Sequence, residues 1–399
     1  MFWSPRTRPG SLPRVILVTA AVLATSLVFS LYIFFPRLPY HVRAFILRET
    51  PISACNFDDA ATALAKTCPA NFDAPARIPN VVNLVFVLKD PEASDYPIQF
   101  SHYLSIFALW WRLRPDVIYL HTNAGPDSAP VRRARDGETG KWSRLFFAIP
   151  GLTVNQIEVP TRARNGVAIE TMEHKSDFVR VQAVHDFGGI YIDLDVHTLR
   201  DIRPLIDSGY PAVVGRQRDT ATNSGTFMSE KSGRLITTWL ETMHRVYDGR
   251  WVTHSNTALT RVSETMLREE PCEILIMGQD AFAPVGWKIH DNEWLFDEHE
   301  EEEDHDKEEY HSDDDDEDAL RRYDEDYTWD DAHPRPWARD WSCTYLLHAF
   351  NFKKPRHGFK SNGITPRYVL ARRSNFARAT YPVAKELLDQ GVVAADEED

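Results

Sequence analysis

The chain has only four cysteines in 399 residues and no Cys-x-x-Cys pair, so a zinc-finger type of metal site has no ligands to build on. It has no Asn-x-Ser/Thr sequon, which removes N-linked glycosylation without deciding the compartment. Long apolar runs are scarce, and one stands out: Val15 to Phe35, 21 residues without a formal charge. Net positive charge is missing too, with 45 basic residues against 59 acidic ones and a net charge of -14. That deficit is local. Residues 297–331 hold 21 acidic residues and three basic ones, Lys307, Arg321 and Arg322, so the rest of the chain sums to +4. A remainder so weakly basic gives no reason to expect a nucleic-acid partner.

The apolar run would span roughly 30 Å as a helix, enough for a bilayer core, and reads as a signal anchor. Ala20, Ala21 and Ala24 leave a cleaved signal peptide as the alternative. Arg6, Arg8 and Arg14 precede the run and Arg37, Arg43 and Arg48 follow it, so flanking charge alone scarcely orients it. The acidic segment is too charged and too poor in apolar residues to pack, and reads as a disordered insertion. His299, His305 and His311 recur in it at intervals of six, which reads as solvated surface before it reads as an ion reservoir. Aromatic and apolar residues resume from Trp337 to Asn351, so the insertion interrupts a domain. Four cysteines permit three connectivities. The pairing favoured here is Cys55 with Cys68 and Cys272 with Cys343, with four free buried thiols as the alternative.

From residue 78 onward, strand and helix patterns alternate. Strands are expected at Val81–Leu88, Asp116–His121, Val154–Val159, Pro211–Gly215 and Thr226–Ser229. Helices are expected at His102–Leu113, Trp142–Ala148, Glu170–Phe187, Gly233–Tyr247 and Thr257–Glu269. Such alternation predicts an α/β fold, a mostly parallel sheet with helices on both faces. Ligands of such sheets bind beyond the carboxyl ends of the strands.

The chemistry concentrates in one stretch. After the helical segment that contains Asp177 and Arg180, one turn apart on one face, Gly188-Gly189 stops the helix and Ile190-Tyr191-Ile192-Asp193-Leu194-Asp195 reads as a strand ending in paired carboxylates. Alternation along a strand would place Tyr191, Asp193 and Asp195 on one face. Two hard oxygen donors beside a glycine-opened space suit Mn²⁺ or Mg²⁺ next to a phosphate-bearing substrate. Asp-x-Asp alone is common, and most such pairs cap turns or strand ends.

The run from Lys175 to Val196, with Asp177, Arg180, Gly188, Gly189, Tyr191, Asp193 and Asp195 at fixed spacing, resembles the sugar-binding DXD region of the fungal glycosyltransferases of family 32. Those are related to the initiating alpha-1,6-mannosyltransferase and to the inositol-phosphorylceramide mannosyltransferases. Ile78 to Phe86 is similar to the family's opening strand, with Asn83 and Phe86 where a His and a Trp are usual. Asn223 to Met228 resembles its Asn-containing strand, and Trp251 to Thr260 its following Trp and His-Ser segment. The similarity covers roughly residues 78–290, with a weaker match near His348.

The resemblance implies a GT-A-like nucleotide-sugar transferase fold and retention of anomeric configuration. It implies that Asp177 and Arg180 bind sugar hydroxyls and donor phosphate, that Asp193 faces ribose and sugar, and that Asp195 ligates the metal, with His348 matching a late metal-holding His. Val85 and Phe86 fall where the nucleotide would lie, and Asn223 is the candidate to orient acceptor or transferred sugar. The catalytic set is then Asp193, Asp195 and Asn223, and the donor set Val85, Phe86, Asp177, Arg180, Tyr191 and Asp193. The mildly basic folded part suits a nucleotide diphosphate. The resemblance also tips the anchor toward a cytoplasmic tail at 1–14, a membrane helix at 15–35, a stem at 36–77, and a luminal Golgi or secretory-pathway catalytic domain at 78–296. The insertion at 297–331 and the rest of that domain at 332–399 follow. Partners would be a nucleotide-sugar donor, a glycan or glycolipid acceptor, and the membrane. Two other classes stay open: a haloacid-dehalogenase-like phosphohydrolase with Asp193 as nucleophile, and an inactive membrane-anchored binding protein.

Overall fold

The computed structural model describes residues 51–69, 78–218, 220–299, 336–350 and 363–398, with scattered positions before residue 51 that include a short helix at Tyr40–Leu47. The apolar run at 15–35 and most of the acidic segment lie largely outside the described residues. Among the described residues no helix is long and apolar enough to cross a membrane. Residues 1–50 form one unit and Pro51–Asp399 the other. Part of the expected stem, residues 51–68, therefore belongs with the larger unit.

Nine strands are described: β1 (Val81–Val85), β2 (Val117–Thr122), β3 (Leu152–Gln156), β4 (Gly189–Ile192), β5 (Val196–Thr198), β6 (Ala212–Arg216), β7 (Thr222–Ser229), β8 (Leu275–Met277) and β9 (Leu346–His348). Seven make one sheet in the order β3-β2-β1-β4-β7-β6-β8, and β5 pairs with β9 apart from it. The half built from β3, β2, β1 and β4 is parallel, as expected. β7 departs from that expectation, running antiparallel to both β4 and β6. Its cause is local: β7 starts at Thr222, four residues earlier than the pattern suggests, so the connection from β6 is too short for a crossover and closes as a hairpin.

The helices that matter for the site are α1 (Phe57–Thr67), α2 (Phe100–Leu113), α3 (Lys141–Phe147), α4 (Met172–Phe187), α5 (Arg234–Val246), α6 (Ala258–Glu269) and α7 (Asn375–Asp389). They cover the sheet on two sides, and the strand pleat divides the core accordingly. Ile190 and Ile192 of β4 pack with Val82, Leu84, Ile118 and Leu120 in the larger cluster. Tyr191, between them, points the other way and joins Phe178, Val181, Phe227 and Trp239. α4 ends where Gly188 N donates back to Val184 O at 2.8 Å. Gly188 and Gly189 both take positive φ, 70° and 89°. A Cβ at Gly189 would lie 2.1 Å from Val81 O, so glycine is required for the chain to enter β4 beside β1.

A buried polar chain crosses the parallel half. Asn83 Nδ2 donates to Gly188 O at 2.9 Å, His121 Nε2 lies 2.9 Å from Asn83 Oδ1, and Asn155 Nδ2 lies 2.9 Å from His121 Nδ1. Burial pushes the His121 pKa down to about 4, with Asp186 opposing the shift.

Both disulfides differ from the favoured pairing. Cys55 bonds Cys343 and Cys68 bonds Cys272, across 288 and 204 residues. The physical reason is that Cys55 and Cys68 flank α1, whose 11 residues span about 16 Å as a helix. That holds the two thiols far beyond bonding reach of each other. Each is left to reach a distant partner.

Two outcomes follow from this frame. Non-reducing peptide mapping is expected to recover the 55–343 and 68–272 links, and replacing Cys68 and Cys272 together with Ser should cost roughly 2–5 kcal/mol of unfolding free energy. Because the folded state depresses the His121 pKa, its neutral form is fully stabilising above about pH 6.5, and that contribution is lost as pH falls toward 4. The loss should reach roughly 3 kcal/mol. His121→Asn should flatten this part of the pH dependence in urea unfolding; an unchanged slope would remove His121 as its source.

Candidate functional site

β4 stops at Ile192, and Val196 N donates to Asp193 O at 3.1 Å. Asp193-Leu194-Asp195 is thus a tight turn, not the end of an extended strand, and the two carboxylates meet by reversal of the chain instead of by alternation. Asp193 N donates to Gly225 O at 2.8 Å, which ties the turn to β7. After the turn, β5 pairs with β9 so that Val196 stands opposite His348, and Ala349 N donates to Asp195 O at 2.9 Å. Side-chain atoms of Asp193, Asp195 and His348 come within 4.8 Å of one another. His348 Nε2 lies 3.4 Å from Asp195 Oδ1.

This donor set fits a hard divalent cation. Two carboxylate oxygens and one imidazole nitrogen supply three positions and leave others for phosphate oxygens or water. Electrostatics agree: burial pushes the Asp193 carboxyl up from its ordinary pKa, Arg180 opposes this, and the neighbouring Asp195 charge adds to it. Space is reserved as well, because a Cβ at Gly225 would meet His348 Cε1 at 2.6 Å, Asp193 Oδ2 at 2.7 Å and Asn223 Oδ1 at 2.8 Å.

Arg180 rises from the third turn of α4. Its Nη1 lies 3.3 Å from Asp193 Oδ2 and donates to Ser224 O at 3.1 Å, while Nη2 faces Asp177 Oδ1 at 3.2 Å. The guanidinium also lies 4.7 Å over the Tyr191 ring. Its pKa is raised: the charges of Asp193, Tyr191, Asp177 and Asp195 outweigh the opposing desolvation, which is the largest single influence. Tyr191 is buried to 2% exposure and its hydroxyl donates to Asp193, so within this structure it buttresses that carboxylate from the core side.

Asn223 Nδ2 faces His348 Nδ1 at 3.1 Å, and Asn223 Oδ1 accepts from Gly225 N at 2.6 Å. The backbone donor fixes which way the amide points, and the amide in turn holds the His348 ring. Val85 and Phe86 sit where β1 ends. β1 and β4 are parallel with Asn83 level with Tyr191, so both strands end on the same side of the sheet. Phe86 is half-buried and meets Tyr96 edge-on at 5.3 Å. Asp177, Arg180, Tyr191, Asp193, Asp195, Asn223 and His348 are therefore gathered where the central strand β4 ends, and Val85 and Phe86 lie at the corresponding end of β1.

Four contributors were not singled out. His254 Nε2 donates to Asp177 Oδ2 at 2.9 Å. Gln217 Oε1 accepts from Asn223 Nδ2 at 3.2 Å and from Asn256 Nδ2 at 3.0 Å, and Asn256 Oδ1 accepts from Ser224 Oγ at 2.5 Å. His254 and Asn256 lie inside the Trp251–Thr260 segment that drew notice, but single polar residues there carry no spacing signal.

Residues 106–210 match the family model described as a glycosyltransferase sugar-binding region containing DXD motif, and this stretch of the chain is such a region. It contains Asp177, Arg180, Tyr191, Asp193 and Asp195. The chain is similar to glucan organizing enzyme 1 of Cryptococcus neoformans var. grubii serotype A, 26% identical over 217 residues that cover 51% of this chain and 54% of that protein. It thus spans about half the length of that curated relative. Among solved structures, glycosyltransferase GlyE of Streptococcus pneumoniae TIGR4 is 10% identical over 79% of this chain and 65% of that one, with a TM-score of 0.36. Galactosyltransferase LgtC, in complex with donor and acceptor sugar analogs, is 9% identical over 77% of this chain and 95% of that one, with a TM-score of 0.34.

Filling the reserved space gives a direct test of the metal assignment. Gly225→Ala is expected to leave cooperative unfolding intact while weakening Mn²⁺ binding, read by electron paramagnetic resonance of free Mn²⁺, by roughly tenfold or more. Undiminished binding would place the ion elsewhere.

Proposed function

We propose that this chain is a metal-dependent, retaining glycosyltransferase of GT-A-like fold that moves a hexose, with mannose favoured, from a nucleotide sugar to a hydroxyl of a glycan or glycolipid. The observation that carries the reading is the meeting of Asp177, Arg180, Asp193, Asp195 and His348 at the end of the central strand β4, with the first four inside the matched sugar-binding region. In this reading the site holds Mn²⁺ or Mg²⁺ through Asp195 and His348, with Asp193 beside them. A bound divalent ion would neutralise charge developing on the leaving diphosphate.

The chain's own residues supply the rest. Arg180 is a fixed cation, already desolvated and oriented before substrate arrives, so it stabilises leaving-group charge without reorganisation. Asp177 would accept sugar hydroxyls. Asn223 holds His348 and faces the same space as the carboxylates. The described carboxylates at the centre are engaged: Asp177 by Arg180 and His254, Asp193 by Arg180 and Tyr191, Asp195 beside His348. None is poised as a free nucleophile, which supports leaving-group departure with the acceptor entering on the same face. The same engagement of Asp193 speaks against a phosphohydrolase, whose aspartate must attack phosphorus.

The secretory placement rests on the apolar run at 15–35, and two disulfides suit an oxidising lumen. Acceptor classes to try are protein glycans, inositol-containing sphingolipids and wall polysaccharide, the last suggested also by the name of the Cryptococcus relative.

The full chain should release nucleotide from one member of a panel of GDP-mannose, UDP-galactose and UDP-N-acetylglucosamine with Mn²⁺, and chelator should stop it. Asp195→Ala should lower that rate by roughly a hundredfold or more with its unfolding transition nearly unchanged. Turnover retained in Asp195→Ala would sink the metal-ligand assignment, and no turnover or binding across the panel would sink the transferase reading.

A further inference from the structure

Asp177 has both carboxylate oxygens engaged by partners of different kinds. Oδ1 faces the Arg180 guanidinium at 3.2 Å, and Oδ2 accepts from His254 Nε2 at 2.9 Å. A carboxylate left alone with a guanidinium tends toward the bidentate fork, two parallel N–H···O bonds. Here the fork is not made, because His254 takes the second oxygen.

His254 is placed to do this with little freedom. It lies in the turn Thr253–Thr257, wound as a π-helix just before α6, a local irregularity that displaces side chains from the α-helical positions. Its side chain is wholly buried. The ring stacks on Phe178, centroids 5.5 Å apart and planes within 6°, and meets His174 at 4.7 Å and Tyr247 at 5.0 Å. Its main-chain oxygen accepts from Trp239 Nε1 at 3.1 Å. Phe178 is the residue directly after Asp177, so the ring that receives the stack and the carboxylate that receives the hydrogen bond come from the same turn of α4.

We propose that His254 is a positioning residue for sugar recognition. Its Nε2–H keeps the Asp177 carboxylate from swinging into a fork with Arg180, and so leaves Arg180 Nη1 facing Asp193 and Ser224 O. The proposal rests on the transferase reading. Its consequence is graded: losing His254 disturbs the hold on the transferred sugar, through Asp177, more than the hold on the metal and the diphosphate, to which Asp193, Asp195 and His348 also contribute.

The test uses the full chain and measures affinity for GDP, GDP-mannose, UDP and UDP-galactose, each with Mn²⁺, by calorimetry. Wild type is expected to bind one nucleotide sugar more tightly than its parent nucleotide. His254→Leu should lose that increment, roughly tenfold or more, with a smaller loss of affinity for the nucleotide alone. His254→Gln can still donate a hydrogen bond toward Asp177 and should keep most of the increment. Equal loss for nucleotide and nucleotide sugar, equal damage by Gln and Leu, or no loss in His254→Leu would overturn the proposal. A wild-type protein that binds none of the four overturns the transferase reading itself. The contact has a ligand-free readout too: His254→Leu and Asp177→Asn should be non-additive in thermal unfolding, and additivity would sink the pairing.

Discussion

The site depends on one guanidinium. Arg180 is the cation that lets Asp177 and Asp193 be brought together at the edge of the core, where two carboxylates facing each other unaided would lose solvation and repel. Its position is set by α4, which ends at Gly188 and feeds directly into β4, so the helix that carries Asp177 and Arg180 and the turn that carries Asp193 and Asp195 are one rigid connection. The Tyr191 ring under the guanidinium completes the seat. On the far side of Asp193 from this charge, Asp195, Asp193 and His348 converge. In the proposed reaction the protein would supply a fixed cation for one side of a diphosphate and an acidic space for a mobile one on the other.

His348 reaches that space from 153 positions beyond Asp195, and the covalent links explain how it is held there. Cys343 lies five residues before His348 and is bonded to Cys55. Ala54 N donates to Cys343 O at 3.1 Å, and Gly278 N donates to Ile52 O at 2.7 Å. The segment before β1 is therefore a brace clamped between the late strands and α1. A short two-stranded ladder such as β5–β9 is marginal alone. With its approach pinned to the body, and with Ser105 Oγ of α2 donating to Val196 O at 2.6 Å, it presents His348 at a defined distance.

Much of this was readable from residue patterns, for reasons that can be named. Periodicity found α2, α4, α5 and α6 within about two residues because each buries one face, and it placed β1, β2, β3 and β4; it missed β8, three residues long and parallel to β6, because so short a run carries no period. The spacing of Asp177, Arg180, Gly188, Gly189, Asp193 and Asp195 survived because all six sit on one continuous helix-to-turn unit, where sequence distance fixes spatial distance. The turn at 193–195 was misread as extended chain, since alternation and a tight reversal can both bring residues i and i+2 to a common space. β7 was read too short because Thr222, Asn223 and Ser224 look like loop residues, although all are buried. The disulfides were mispaired because proximity in sequence was taken for proximity in space. His254 was seen only as part of the His-Ser segment, without its partner Asp177, and Gln217 and Asn256 left no trace, since their hydrogen bonds to Asn223, Ser224 and each other follow no sequence period.

The β1 end of the site bears on donor choice in the proposed reaction. Asn83, which stands where the resemblance gives a histidine, is spent within the core on Gly188 O and His121. It has no hydrogen bond left to offer a nucleobase. Phe86 offers a π-face, which stacks on any base without reading its edge. A site that grips the base by stacking gains affinity but little discrimination between guanine and uracil. Discrimination by hydrogen bonding is strongest where buried polar groups would be left unpaired by the wrong ligand. In this site that condition is met on the sugar side, where Asp177, Arg180, Asn223 and His254 form a connected, desolvated set. The physical weight of donor selection in this reading therefore falls on the hexose, and the base serves mainly to hold it in register.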